Sequence, residues 1–373
     1  MRITQISLYH YDWICTEIEG MKISKGRSYT SEEGRVVKIE TDEGLTGWGE
    51  VVPHGNIYLQ AFPGAIQPSI DLLAPELIGK DPRNVEEIYH IMDNNLLGHG
   101  YIKSPIDNAC WDILGKSLDK PVYELMGGMQ TERPRIIAFS QRDYKKYHDK
   151  ILSDLEKFRK AGCKRLQTKA SGGPSYAIDY LQFISKHLRP DESMWFDCNR
   201  GWTVEQAVAV ANKAKMMGVS LYFEQPCETI EQCKRVMELA GVPVIFDECI
   251  LTMNDLARLG ADGAIGGLSI KVGRVGGLTK AKQMRDYCSA AGITVDIQTI
   301  NSSTIGDTLV AHLAHSTHPD IMGYVYCGGL LTSAVLADDG AQFQEPWYLV
   351  ANNKPGFGIT PNEGMFSLLQ AWK

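Results

Sequence analysis

The sequence lacks most of the features that would place its 373 residues in a specialised class. No apolar run approaches the roughly 18 residues of a membrane span; the longest are near strand length. No excess of positive charge is present. Lys and Arg number 38 against 45 Asp and Glu, for a net charge of −7, so the electrostatic footprint of a nucleic-acid binder is missing. The nine cysteines are scattered without a C-x-x-C pair and read as thiols of a reducing, cytoplasmic compartment. Met1–His10 alternates like a strand and lacks the charged-then-apolar pattern of a secretory signal. The glycine-rich stretch Gly273–Gly277 is not G-x-G-x-x-G, which argues against a dinucleotide site. What remains, at 44% hydrophobic and 22% charged residues, is an ordinary folded chain. Its length suits two domains or one large barrel with an attachment.

The first third reads as strands followed by helices. Ile3–His10, Arg35–Thr41 and Leu45–Val51 alternate, with Asp42-Glu43-Gly44 as a hairpin turn. Ala65–Leu77, Asn84–Asn95 and Ser104–Leu118 have helical spacing, the last opened by Ser104-Pro105. That order predicts an α+β domain. From Arg135 onward, short β-rich runs alternate with helical stretches. The runs are Arg135–Ser140, Lys164–Lys169, Met194–Asn199, Ser220–Glu224, Pro243–Asp247, Ala264–Lys271, Ile293–Ile297 and Ile321–Tyr326. Eight βα units predict a closed parallel barrel. The expected division is an α+β capping domain over 1–130, a barrel over 131–333 and a segment, 334–373, that packs back on the cap.

Barrel enzymes work at the C-terminal ends of their strands. Here five successive strands end in charge: Lys169, Asp197, Glu224, Asp247 and Lys271. One such residue is easily a strand reaching solvent. Three acids on neighbouring strands, flanked by two lysines, are not, because unpaired buried charge is rare. The acids repel unless a cation joins them, and hard oxygen ligands suit Mg²⁺, with Mn²⁺ as a substitute. A metal-bound substrate carboxylate has its charge neutralised, which stabilises the enediolate left by removal of the α-proton. Lys169 and Lys271 face each other across the mouth, and the nearby cations are expected to lower their pKa values.

The even spacing of these residues, Asn199, Glu224-Gln225-Pro226, Asp247-Glu248 and Lys271–Gly277 resemble the enolase superfamily, in its mandelate racemase/muconate lactonizing enzyme group. Gly47–Glu50 and Ser104–Asp112 extend the resemblance over almost the whole chain. It implies a modified (β/α)8 TIM-type barrel of (β/α)7β form under a cap, with an essential Mg²⁺. It further implies that loops near Trp13–Tyr29 and Pro53–Tyr58 close over substrate, that Glu248 positions Lys271, that Asn199 neighbours the metal, and that the enzyme is a homo-oligomer. The family's Lys-x-Lys is replaced by Gln167-Thr168-Lys169.

The stretches Arg165–Lys169, Asn199–Trp202 and Glu224–Cys227 look most like the branch acting on proline and hydroxyproline betaines. The Asp-x-Asp of dipeptide epimerases is missing from Gly323–Cys327, and the seventh strand has no histidine. Tyr324 and Tyr326 share a strand face. They are either packed aromatics or, with Trp13, Tyr58 and Gln167, part of a substrate wall that attracts a quaternary ammonium. The expected activity is a racemase or epimerase acting on a small carboxylate, an N-substituted amino acid. Dehydration of a hydroxy acid and muconate-type cycloisomerisation use the same residues. His312, His315 and His318 read as a solvated helix face.

Overall fold

The computed structural model describes residues 1–373 apart from 18, 24, 25, 55–57, 59, 171 and 261–265. Parts of both expected closing loops, and positions 264 and 265 of the expected sixth strand, therefore lie outside the described residues.

The N-terminal sheet is antiparallel, in the order Ser367–Trp372, Ile3–Ile14, Ser31–Thr41, Thr46–Val51. The C-terminal strand thus lies beside the first one, with Ile6 opposite Trp372. Ile6, Leu8, Val37 and Ile39 are buried beneath helices 66–77, 85–95 and 100–117. The last helix starts at Gly100 rather than at the expected Ser104, so Pro105 falls inside it. This helix rides directly on the sheet. A Cβ at Gly47 or Gly49 would stand 2.0 Å from the carbonyl oxygen of Ala109 or Pro105, so both positions need glycine.

Eight parallel strands follow, in sequential order: Ala138–Ser140, Arg165–Lys169, Ser193–Asp197, Ser220–Glu224, Val244–Phe246, Gly267–Lys271, Val295–Gln298 and Met322–Tyr326. The first and last are joined by the Ile136–Val325 bridge, with Ile137 N donating to Val325 O at 2.9 Å and Val325 N to Arg135 O at 2.8 Å. Helices 204–216, 230–240 and 253–259 open with capping boxes at Thr203, Thr229 and Thr252, which satisfy otherwise orphaned N–H groups. Among the described residues no α-helix follows the eighth strand. A short turn, Gly328–Leu331, and the hairpin Gln342–Gln344/Tyr348–Val350 occupy its side of the barrel. The architecture is therefore the expected (β/α)7β barrel with a strand-rich cap.

The cap is latched to the barrel by buried polar groups. Glu50 accepts from Ser303 N, Ser303 Oγ and Gly306 N at 2.8, 2.9 and 2.6 Å, at the start of helix 304–315. Carboxylates suit that end of a helix. Asp107 accepts from Thr279 N and Oγ1, and Trp13 Nε1 donates to Ser302 O at 2.9 Å.

Two of the three histidines correct the expectation drawn from sequence, while His318, beyond the end of the helix, is exposed. His312 and His315 are fully buried, not solvated. Helix 304–315 runs between the barrel and the C-terminal segment, so both of its faces are covered. His315 Nδ1 lies 2.7 Å from Thr131 O and its Nε2 accepts from Ala351 N. Burial pushes the His312 pKa down to about 3.

Candidate active site

The barrel places all five charged strand ends at one mouth. Asp197 and Glu224 are register partners on adjacent parallel strands, and Asp247 follows the next strand. Asp197, Glu224 and Asp247 are each at most 3% exposed. The backbone just beyond two of these strands is unusual. Asn199, Arg200 and Gln225 have φ of 41°, 60° and 38°, a region non-glycine residues seldom occupy and one that concentrates at functional sites.

Each acid is held by donors. Lys169 Nζ contacts Asp197 and lies 3.2 Å from Asn199 Oδ1. Gln167 Nε2 donates to Glu224 Oε2 at 2.7 Å, and Ser269 Oγ to Glu224 Oε1 at 3.2 Å. Asp247 receives Lys271, Arg274 and the Tyr58 hydroxyl, while Lys271 Nζ also donates to Tyr58 Oη at 2.6 Å. Lys169 and Lys271 stand on the second and sixth strands, on opposite sides of the eight-strand ring.

The charges perturb one another strongly. Burial, with Asp197 and Asp247 nearby, pushes Glu224 well above the usual carboxylate range. Burial and the same two acids push Glu248 up to about 7. Burial alone would raise Asp247 too, but Arg274 and then Lys271 outweigh it and hold its carboxyl below the ordinary value. Lys169 is perturbed against the sense of its burial. Its burial favours the neutral amine, yet Asp197 and Glu224 overcome that and leave its pKa raised. The expected lowering presupposes a divalent cation on the carboxylates; the raised value belongs to Lys169 in direct contact with Asp197.

Among the described residues no three Asp, Glu, His or Cys side chains are arranged as a ready coordination set. The acids instead face ammonium, guanidinium and amide groups. The donor set nevertheless fits a hard divalent cation. It is all oxygen, its carboxylates repel one another, and the neighbouring Glu248 Oε2 is buried without a partner.

A cavity of about 40 Å³ adjoins these groups and is lined by Gln167, Lys169, Asp197 and Lys271. Its other walls are Met21, Ile23, Tyr29, His54 and Tyr58 from the cap, and Phe139, Gln298, Ile300 and Tyr326 from the barrel. The His54 ring meets Tyr29 and Tyr58 edge-on at 4.5 and 4.6 Å. Asn301 Nδ2 donates to Glu32 Oε2 at 2.7 Å and so ties the loop after the seventh strand to the cap.

The structure redistributes several expected contacts. Tyr58, Gln167 and Tyr326 reach the cavity. Trp13 does not; it is buried behind Tyr29, at 6.3 Å between rings, because its indole is drawn to Ser302 O. Tyr324 packs 6.2 Å from Trp195 inside the barrel, two residues deeper than Tyr326. Glu248 accepts from Asn199 Nδ2 at 3.0 Å, and Asn199 in turn faces Lys169, so its hydrogen bond lies on the Lys169 side and not on the expected Lys271. Sequence reasoning gave no individual role to Tyr29, His54, Phe139 or Arg274, although Tyr29 and His54 belong to the two loops expected to close over substrate. Arg274 carried a signal of its own, one helical turn beyond Lys271 within the Lys271–Gly277 stretch.

Comparisons with known proteins agree with this geometry. Residues 20–127 match the mandelate racemase/muconate lactonizing enzyme N-terminal domain, and residues 150–365 match the enolase C-terminal domain-like family. A cis-3-hydroxy-L-proline dehydratase of Roseibium aggregatum is 34% identical over 97% of this chain and 96% of its own. An N-succinyl-L-Arg/Lys racemase of Bacillus cereus is 26% identical, with 97% and 96% covered. A mandelate racemase/muconate lactonizing enzyme from Roseovarius nubinhibens superposes with a TM-score of 0.92 at 30% identity, covering 100% of this chain and 99% of that one. An enolase-superfamily member of the same organism, solved with magnesium, gives 0.89 at 31% identity, with 100% and 99% covered.

Proposed function

Because the chain belongs to the mandelate racemase/muconate lactonizing enzyme family of the enolase superfamily, we propose that it is a Mg²⁺-dependent racemase or epimerase. It removes the α-proton of a small carboxylate, an N-substituted amino acid such as a proline or hydroxyproline betaine. The observation that carries this reading is the pair of lysines flanking three buried carboxylates at one barrel mouth.

Asp197, Glu224 and Asp247 would hold the metal. Bound there, Mg²⁺, or Mn²⁺ in its place, supplies positive charge that offsets the negative charge built up as the α-proton leaves. Lys169 and Lys271 do the proton work. One takes the α-proton and the other returns a proton to the opposite face, which inverts the centre. Asn199 and Glu248 orient Lys169, and Tyr58 orients Lys271. Gln167 fixes Glu224. The ring faces of Tyr29, Tyr58 and Tyr326 suit a substituted ammonium, at about 0.5–2 kcal/mol per contact. In this proposal the cap, 1–130 with 334–373, closes over a barrel of 131–333, and the enzyme works as a cytoplasmic homo-oligomer.

The dehydratase relative supports a second reading. With a 3-hydroxyl on the substrate, one lysine abstracts the α-proton and the other protonates the departing hydroxyl, releasing water.

The test is incubation with L-proline betaine and cis-3-hydroxy-L-proline in D₂O with Mg²⁺. Deuterium at the α-carbon with loss of optical rotation supports the epimerase; loss of water supports the dehydratase. Lys169→Ala and Lys271→Ala are each expected to lower turnover by at least about 100-fold. Full exchange of both enantiomers by both variants rules out the two-lysine mechanism.

A further inference from the structure

Next to the catalytic cavity lies a much larger one, of about 350 Å³. Its origin is topological. A barrel without an eighth helix leaves the outside of its first and eighth strands uncovered. Here that space is only partly filled, by Leu330 and Leu331 of the short turn and by Phe343 and Trp347 of the C-terminal hairpin. The same two strands meet through a single bridge, so the barrel wall is thin at this seam.

Two residues line both cavities: Phe139 of the first strand and Tyr326 of the eighth. Their rings stand edge to face, 6.1 Å between centroids. The near space is the smaller, about 40 Å³ against about 350 Å³, and the far side has room for a phenyl ring and more. Two of the three cations at the far rim are paired with carboxylates. Arg142 pairs with Asp154 at 2.9 Å and with Glu17 at 3.1 Å, and Lys150 with Asp154 at 2.6 Å. The third rim cation, Lys157, has no carboxylate partner among the described residues; its ammonium lies over the Trp347 ring, 4.2 Å from the centroid, and the interior is mostly apolar.

We propose that the Phe139–Tyr326 pair is a partition that confines the substrate to a proline-sized chamber, and that the cavity behind it is a closed-off extension suited to an apolar arm. This rests on the function proposed above and names a specificity determinant for it. Tyr326 closes the partition with its ring and Phe139 supplies the removable half. Truncating Phe139 joins the two spaces without altering a charged group of the site.

The experiment compares N-methyl-L-proline with N-benzyl-L-proline, which share the carboxylate and α-proton and differ by a phenyl group. Exchange in D₂O and calorimetric binding, both with Mg²⁺, are measured for the wild type, Phe139→Ala and Phe139→Leu. The expected result is a benzyl-to-methyl preference about 10- to 200-fold higher in Phe139→Ala, the scale on which apolar pockets discriminate by size. Phe139→Leu shifts it less and serves as the reading if the alanine variant does not fold. An unchanged ratio, or binding of neither acid by any of the proteins, overturns the partition. A raised binding ratio with no exchange of either acid instead overturns the proposed chemistry and leaves the partition standing.

Discussion

Arg274 shows how much of the site depends on one buried cation. Its guanidinium contacts Asp247, donates to Ser269 O at 2.8 Å and is 5% exposed. Removing one partner of a buried pair costs about 3–5 kcal/mol where the other charge is left alone; Asp247 would keep Lys271 and Tyr58, so the low end of that range applies. Arg274→Ala is therefore expected to lower stability by that order in urea titrations. Arg274→Lys, which keeps the charge but not the fork, should recover part of the loss. Asp307 carries a pH-dependent effect. Burial pushes its pKa up to about 7, with Ser302 Oγ and Gly329 N as donors. An unfolded aspartate titrates near 3.9, so the native state binds the extra proton in between. The stability this group provides is complete below about pH 4 and is lost as pH rises through about 7. Asp307→Asn should flatten the decline in urea midpoint between about pH 5 and pH 7.5; an unchanged slope would show that other groups carry it. At this scale the sequence was most legible where chemistry forces a residue type. Acids and lysines that close apolar runs on five successive strands point to a charged site, because burying them without one is costly. Phe139 was not legible, and Tyr29 and His54 only as members of the two expected closing loops, because an aromatic residue in a loop or short strand looks the same whether it lines a cavity or fills a core.

Among the elements, the barrel strands were legible because alternating βα units have one economical closure. Their ends shifted by a few residues, as with Met194–Asn199, which is observed as Ser193–Asp197. Helix 100–117 begins earlier than its local signal suggests, because Ser104-Pro105 imitates a cap followed by a first turn. Tertiary contact overrode that signal, as the close fit at Gly49 illustrates. A methyl group there would collide with backbone, which cannot rotate away. Gly49→Ala is expected to cost about 1–3 kcal/mol by overpacking and to lower the melting temperature, whereas Gly44→Ala, at an open turn, tests only the cost of a positive φ of 80°. If Gly49→Ala melts with the wild type, the sheet and helix do not fit as tightly as that approach requires.

For the whole molecule, the three site carboxylates predict a dependence on divalent ions. Their mutual repulsion is relieved by a bound cation, and a ligand that binds only the native state stabilises it by about 2.7 kcal/mol at a hundred times its Kd. Mg²⁺ should raise the melting temperature above that in EDTA, and Asp197→Asn should shrink the difference. Equal melting in Mg²⁺ and EDTA would exclude these acids as a metal site. The cap-over-barrel plan was legible from the order of elements along the chain; the contacts between the two were not. Glu50 reaching the start of helix 304–315 joins positions far apart in sequence, and no local pattern marks it.

The antiparallel pairing of Ser367–Trp372 with Ile3–Ile14 has a consequence for biogenesis. The first strand of the cap leaves the ribosome early, and its edge partner emerges only after every barrel strand has been made. Until then the twelve-residue strand Ile3–Ile14 is itself an edge of the sheet, longer than the six-residue strand that later covers it, and a long open edge is prone to pairing with other chains. The long loop closure that ends this wait is the slow kind of contact. The catalytic mouth, which needs Tyr58 from the cap and Lys271 from the barrel, is thus assembled around a sheet that the last stretch of chain completes.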